Sequence, residues 1–223
     1  MSFDRIAPFY RALETIAFGN TLQHARVHWI NKAPRPTRAL IIGEGNGRFL
    51  CELVRVHPEI DIDCVDASGR MLQLARRQVL KTFPESLKRV RFLQEDILTW
   101  LPSDSYDLLV THFFLDCFQR DLVKTIVDRI GRTALPDAVW LLADFTIPAG
   151  GTLARMHAKL WLQAMYSFFR ISAGITAAQL VDPAPYLLEQ RFVRTASRLF
   201  RAGLVKSDVY RRHARAERSN QHG

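Results

Sequence analysis

Three glycines spaced two residues apart, Gly43, Gly45 and Gly47, follow an apolar run in "ALIIGEGNGRFL", with Glu44 and Asn46 between them. A backbone without Cβ atoms can pass close to a ligand that side chains would exclude. The dinucleotide fingerprint G-x-G-x-x-G is not met: counted from Gly43 or Gly45, the third position is Arg48 or Leu50. The tighter G-x-G-x-G suits a ligand without a pyrophosphate. Two acids stand downstream. Asp66 closes "IDIDCVD", where a carboxylate can accept from both hydroxyls of a ribose. Asp96 follows "VRFLQE", where a carboxylate can accept from an adenine amino group while Ile97 packs on the ring. Singly, Asp66 reads equally well as a helix cap and Asp96 as a turn residue. At the ends of consecutive strands of one sheet, the two point to an adenosine site.

The elements that must position these residues alternate in period. "ALIIG", "IDIDCVD", "VRFLQED", "YDLLVTHFF" and "AVWLLADF" are apolar runs of strand length, and most are followed by a helical period. Helices are expected from about Gly47 to Val56 and in "GRMLQLARRQVLKTF" and "QRDLVKTIVDRIGR". Strands apolar nearly throughout, joined by helices, form a parallel sheet covered on both faces. The fold class is a doubly wound α/β domain with a mostly parallel sheet. Ligands bind such sheets at the C-terminal ends of the strands, where strand order reverses.

The flanks depart from this rhythm. Residues 4–31 read as a helical cap interrupted near Gly19, and "KAPRPTR" marks entry to the core at residues 37–147. Residues 148–190 read as a helical lid, aromatic-rich over 150–176, ending in the short helix "VDPAPYLLEQ" with Asp182 as cap. "RFVRTASRLF" and "LVKSDVYRR", around "RAG", are expected to pair as a C-terminal hairpin over 191–211, although the first also suits a helix. A basic tail occupies 212–223.

Composition bounds the class. The chain has 223 residues, 48% hydrophobic and 24% charged, the figures of one soluble globular domain. Its formal net charge of +9 suits an acidic partner or a solvated basic surface. Cys51, Cys64 and Cys117 have no CxxC spacing, and the first two read as buried, which fits a reducing cytoplasm. No secretory signal and no apolar run of spanning length is evident. His24 and His28 stand four apart, the spacing of a metal pair, but an exposed helix face accounts for them and no metal is expected.

With these motifs in order, the chain resembles a class I S-adenosylmethionine-dependent methyltransferase. It is particularly similar to the group that includes the ubiquinone/menaquinone-biosynthesis and phosphatidylethanolamine methyltransferases. The likeness runs over residues 3–211, through "FDRIAPFY", "LIIGEGNGRF", "CVDASGRML", "FLQEDIL" and "YDLLVTHFFLDCF". It implies that Gly43, Gly45 and Gly47 line the methionine and ribose portion of the cofactor, with Asn46 in the same loop. Asp66 would hold the ribose, Ala67 and Met71 would lie by the adenosine, and Asp96 with Ile97 would hold the adenine. Tyr10 would close over the cofactor, and Thr111 would meet it from the fourth strand. The family's first strand often carries an acid two residues before the first glycine; here that position is Ile41. Glu44 is expected to hold the methionine amino group instead, unless it is a solvent-facing loop carboxylate.

Methyl transfer from a sulfonium is an in-line displacement, so positioning does much of the catalysis. A general base is needed only where the acceptor must lose a proton. His112 and Asp116, beside Phe113 and Phe114, are the candidates, and His112 could equally shape the pocket. Asp144 reads as structural. Phe113, Trp161 and Tyr166 join them as expected substrate-pocket residues, and the lid aromatics suggest an acceptor with a large apolar part, lipid- or quinone-like, unless the stripe is core packing. Peripheral contact with an anionic membrane fits the same balance. A nucleic-acid methyltransferase would explain the charge, but "THFF" stands where amino-methylating enzymes of that kind place Asn/Asp-Pro-Pro-aromatic. A nicotinamide reductase lacks its third glycine. A non-catalytic interaction protein of the same fold stays open.

Overall fold

The computed structural model describes residues 18–33, 35–148 and 180–213. The first part of the expected cap, with Tyr10, the aromatic lid with Trp161 and Tyr166, and the last ten residues lie outside the described residues.

After α1 (Thr21–Val27), the chain alternates as its periods predict: β1 (Arg38–Ile42), α2 (Arg48–Val56), β2 (Asp61–Asp66), α3 (Gly69–Thr82) and β3 (Val90–Gln94). Then follow β4 (Tyr106–His112), α4 (Arg120–Arg132) and β5 (Ala134–Phe145). A short α5 (Ala184–Glu189) leads to β6 (Phe192–Phe200) and β7 (Val205–Arg212). All seven strands form one sheet in the order β3-β2-β1-β4-β5-β7-β6. The first five are parallel, and β7 enters antiparallel between β5 and β6. Strand order reverses between β1 and β4, so the crevice expected of an open α/β sheet opens there.

Residue parity along the strands divides the core. Leu109, Trp140 and Leu142 join α1 and α4 on one face. Leu108, Val110, Val139 and Leu141 join α2 and α3 on the other. Both faces being covered explains why these strands read as unbroken apolar runs. The expected hairpin is present, and its first arm is strand rather than helix. The fifth strand starts earlier than "AVWLLADF", at Ala134, because Ala134 pairs with Tyr106 across an irregular step.

Local chemistry fixes the helix starts. The Ser68 hydroxyl accepts from the Met71 amide at 3.1 Å and caps α3. The cap expected of Asp182 is a single bond, its Oδ1 accepting from the Ala184 amide at 3.3 Å ahead of α5. The N-terminal segment is tied to the far end of the chain. The Trp29 indole donates to the Ser207 carbonyl at 2.9 Å, and the Ser207 hydroxyl donates to the Ala25 carbonyl at 2.8 Å.

Candidate active site

At the switch point, β1 ends in Gly43, whose amide donates to the Val65 carbonyl at 2.9 Å and carries the ladder one residue past the strand. The loop then turns through Gly43, Gly45 and Gly47, all at positive φ. A Cβ on Gly43 would stand 2.5 Å from the Phe114 ring, so the absence of a side chain lets that ring close over the end of β1. Beyond it lies a cavity of about 170 Å³.

Its walls come from the ends of several strands. Gly43 and Gly45 form one side, with Asp66, Ala67 and Met71 from β2 and the start of α3. Asp96 and Ile97 supply the third-strand side. The wall facing them is apolar: Leu98, Phe113, Phe114, Phe118 and Leu122, with the Cys117 thiol. The glycines and the two acids that the sequence singled out thus meet at one crevice. Asp66 is not the cap of α3, a role taken by Ser68. Its Oδ1 accepts from the Ser68 amide at 2.8 Å, at the strand end. Asp96 does make the turn bond, accepting from the Leu98 amide at 2.9 Å, and is exposed at the cavity's edge.

Other expected residues stand elsewhere. Gly47 packs against α3: a Cβ there would meet the Ala75 Cα at 2.7 Å. Asn46 is half-buried and off the cavity wall. Thr111 faces the core, accepting from the Trp140 indole at 2.8 Å. His112, one residue on, projects from the opposite face of β4, edge-on to Phe49 with ring centroids 4.7 Å apart. Its ring is buried, with the Arg26 backbone as its one hydrogen-bonding neighbour among the described residues. Burial, then the nearby Arg26 charge, push its pKa down to about 3. His112 therefore stands off the cavity wall as a weak base.

Glu44 is no solvent-facing carboxylate. Its Oε1 accepts from the amides of Phe49 and Leu50, both at 3.0 Å, and so closes the first turn of α2. Burial raises its pKa to about 7, against the pull of those amides and of Arg26. Arg26 itself is buried on α1, its guanidinium 5.0 Å from the centre of the Phe113 ring. Phe113 leaves β4 with φ +54, a strained value for an aromatic residue, and its amide donates to the Ala143 carbonyl at 2.7 Å.

Behind Cys117 lies a pair of buried acids. Asp116, on the turn after β4, hydrogen-bonds Asp144 near the end of β5. Burial, then the Asp116 charge, raise the Asp144 pKa well above the carboxylate range. The Cys117 thiol donates to Asp116 Oδ1 at 3.6 Å and is kept protonated by burial and by that neighbour. Sequence reasoning passed over Phe114, Cys117, Phe118 and Leu122 as wall residues. Phe114 and Phe118 stand four apart, the only signal that both turn to one side.

Residues 39–137 match the sequence family described as "Methyltransferase domain". That stretch is 99 of the chain's 223 residues. The fold built on it is the Rossmann-like α/β fold of methyltransferases. Solved structures share its fold. An O-methyltransferase family protein from Burkholderia thailandensis superposes with TM-score 0.71 at 13% identity, over 93% of this chain and 60% of that one. The mitomycin 7-O-methyltransferase gives 0.67 at 20%, over 95% and 61%. The N-methyltransferase NodS from Bradyrhizobium japonicum WM9, in complex with S-adenosylhomocysteine, gives 0.59 at 14%, over 92% and 88%. The chain therefore spans about 60% of the length of the first two. No curated protein sequence matches it.

The residues present fit the cofactor of this methyltransferase class. Gly43 and Gly45 add no side chain of their own to the crevice, Asp66 presents a carboxylate at the end of β2, and Met71 and Ile97 give apolar lining.

Proposed function

We propose that this protein transfers a methyl group from S-adenosylmethionine to a small, partly apolar acceptor of lipid- or quinone-like character. The observation that carries the reading is the divided cavity. Hydrogen-bonding groups gather at the ends of β1 to β3, and a wall of Phe113, Phe114, Phe118 and Leu122 faces them. The similarity of the sequence motifs to the quinone- and phosphatidylethanolamine-methylating group supports the same acceptor class.

When bound, S-adenosylmethionine supplies an electrophilic methyl on a sulfonium. Asp66 binds the ribose hydroxyls, and Asp96 with Ile97 and Met71 orients the base. Glu44, in the loop between the lining glycines Gly43 and Gly45, would hold the amino group of the methionine end while its Oε1 stays on the α2 amides. The phenylalanine wall excludes water and aligns the acceptor with the methyl, which is where most of the acceleration of an in-line displacement arises. Where the acceptor loses a proton, Asp116, behind Cys117 rather than on the cavity wall, would take it up beside Asp144; such assistance contributes about 10²–10⁴-fold.

The test is transfer of labelled methyl from the donor to a panel of quinols, phospholipids and polar amines or phenols. Turnover of apolar acceptors is expected; turnover confined to polar ones would reject the acceptor class, and none with any acceptor would reject the activity.

A further inference from the structure

The β6–β7 hairpin holds most of the protein's excess charge. From Arg191 to Arg212 it carries seven basic residues and one acid, Asp208, a net +6 of the chain's formal +9. Asp208 is fully buried, near Lys206 and Arg194. The exposed charge of the hairpin is therefore positive throughout: Arg191, Arg194, Arg198 and Arg201 stand out along its outer strand.

That strand is unlike the rest of the sheet. Among the described residues β6 is the last strand, with one edge unpaired, and Val193, Arg194, Thr195, Ser197, Arg198 and Leu199 expose residues of both parities. Arginine on an edge is a common guard against strand pairing. A guard alone gives no reason for the apolar residues among the arginines: Val193 is 40% and Leu199 61% exposed, with Ile147 beyond β5 at 38%. The register fixes which way this edge faces. Phe145, the last residue of β5, pairs with Val205, which in turn pairs with Phe200. The turn at Arg201–Gly203 thus lies at the C-terminal end of the parallel strands, the edge on which the cofactor cavity opens.

We propose that the outer strand and turn of this hairpin dock the protein on an anionic lipid bilayer, arginines against the headgroups and Leu199 among them, with the cavity edge turned toward the membrane. Basic charge alone would suit nucleic acid too. A strand that binds bases presents exposed aromatic rings for stacking; here Phe192 and Tyr210 are buried, Phe200 is half-buried edge-on to His28, and the exposed apolar residues are aliphatic. Basic residues with interspersed apolar side chains match an anionic interface. This inference goes beyond the acceptor reading and does not depend on it.

The test is flotation of the full chain with phosphatidylglycerol-containing vesicles, with pure phosphatidylcholine vesicles and with a DNA duplex. Binding is expected only to the anionic vesicles at 0.1 M salt, falling at 0.5 M as screening shortens. Neutralising three arginines (Arg191→Gln, Arg198→Gln and Arg201→Gln together) is expected to lower vesicle affinity about 100-fold. Leu199→Ser, which disturbs no buried contact, should lower it severalfold on its own. S-adenosylhomocysteine affinity should be unchanged in both variants, a readout that separates docking from the cofactor site. Equal binding to neutral vesicles, preference for the duplex, or full vesicle affinity in both variants would overturn the proposal.

Discussion

Gly47 and Ala75 approach so closely that a Cβ on the glycine would stand 2.7 Å from the Ala75 Cα. The last glycine of the loop thus serves helix packing, where the first makes room for the Phe114 ring. Gly47→Ala combines that clash with a φ of +85 and should cost roughly 2–5 kcal/mol. Gly19→Ala, also at positive φ but with nothing within 4 Å, should cost about 1–2 kcal/mol. Denaturant melts of the two variants check this ordering.

Glu44 links stability to pH. Its folded pKa of about 7 lies above the ordinary 4.5, so the folded state binds the proton more readily than the unfolded chain. The group's contribution is therefore most favourable below pH 4.5 and is lost as pH rises toward 7. Glu44→Gln keeps an acceptor for the α2 amides but cannot ionise. Its melting temperature should gain on the wild type from pH 4.5 to 7 and run parallel above that. An ammonium group held by Glu44 would pull its pKa down, so S-adenosylhomocysteine binding at pH 7 should release protons. Calorimetry in buffers of different ionisation enthalpy would show this, and Glu44→Gln should abolish it.

His112 contributes the opposite slope. Its folded pKa of about 3 lies below the ordinary 6.5. The unfolded chain takes up a proton that the folded protein refuses, and stability falls below pH 6.5 by up to about 1.4 kcal/mol per pH unit. His112→Phe keeps the edge contact with Phe49 and removes two buried nitrogens, at most one of them bonded, to the Arg26 backbone. It should raise stability at pH 7 by about 1 kcal/mol, flatten the acid slope, and leave methyl transfer within a few-fold. A loss of 100-fold or more would restore the histidine as a catalytic residue.

Asp116→Asn should separate proton handling from binding. With an acceptor that must lose a proton, kcat should fall about 10²–10⁴-fold while S-adenosylhomocysteine affinity holds. With an acceptor that loses none in the transfer step, kcat should change little. An equal loss with both acceptors would make the pair structural.

The strands and the glycine loop were legible in the sequence because both depend on local pattern: unbroken apolar runs between helical periods, and small residues straight after the first of them. Asp66 and Asp96 were legible because strand ends share one edge of a parallel sheet. Thr111 and His112 were misplaced because nearness in sequence was taken for nearness to the cavity. Alternation along β4 turns them to opposite faces, one to Trp140 and the other to Phe49. Arg26 could not be found from spacing, since its position over Phe113 depends on α1 being fastened to β7 through Ser207, 182 residues beyond Ala25. The role of Glu44 turns on its burial and on which amides face it, and neither can be read from one residue.

The central claim is that the crevice between β1 and β4 binds S-adenosylmethionine through Asp66. Titration calorimetry of the wild type, Asp66→Asn and Asp66→Ala with S-adenosylhomocysteine, with NADH as control, tests it directly. Micromolar binding to the wild type, weaker by about tenfold or more in both variants with melting temperatures unchanged, and no binding of NADH is the predicted result. Wild-type protein that is folded yet binds no S-adenosylhomocysteine, or variants that bind it as tightly as the wild type, would contradict it.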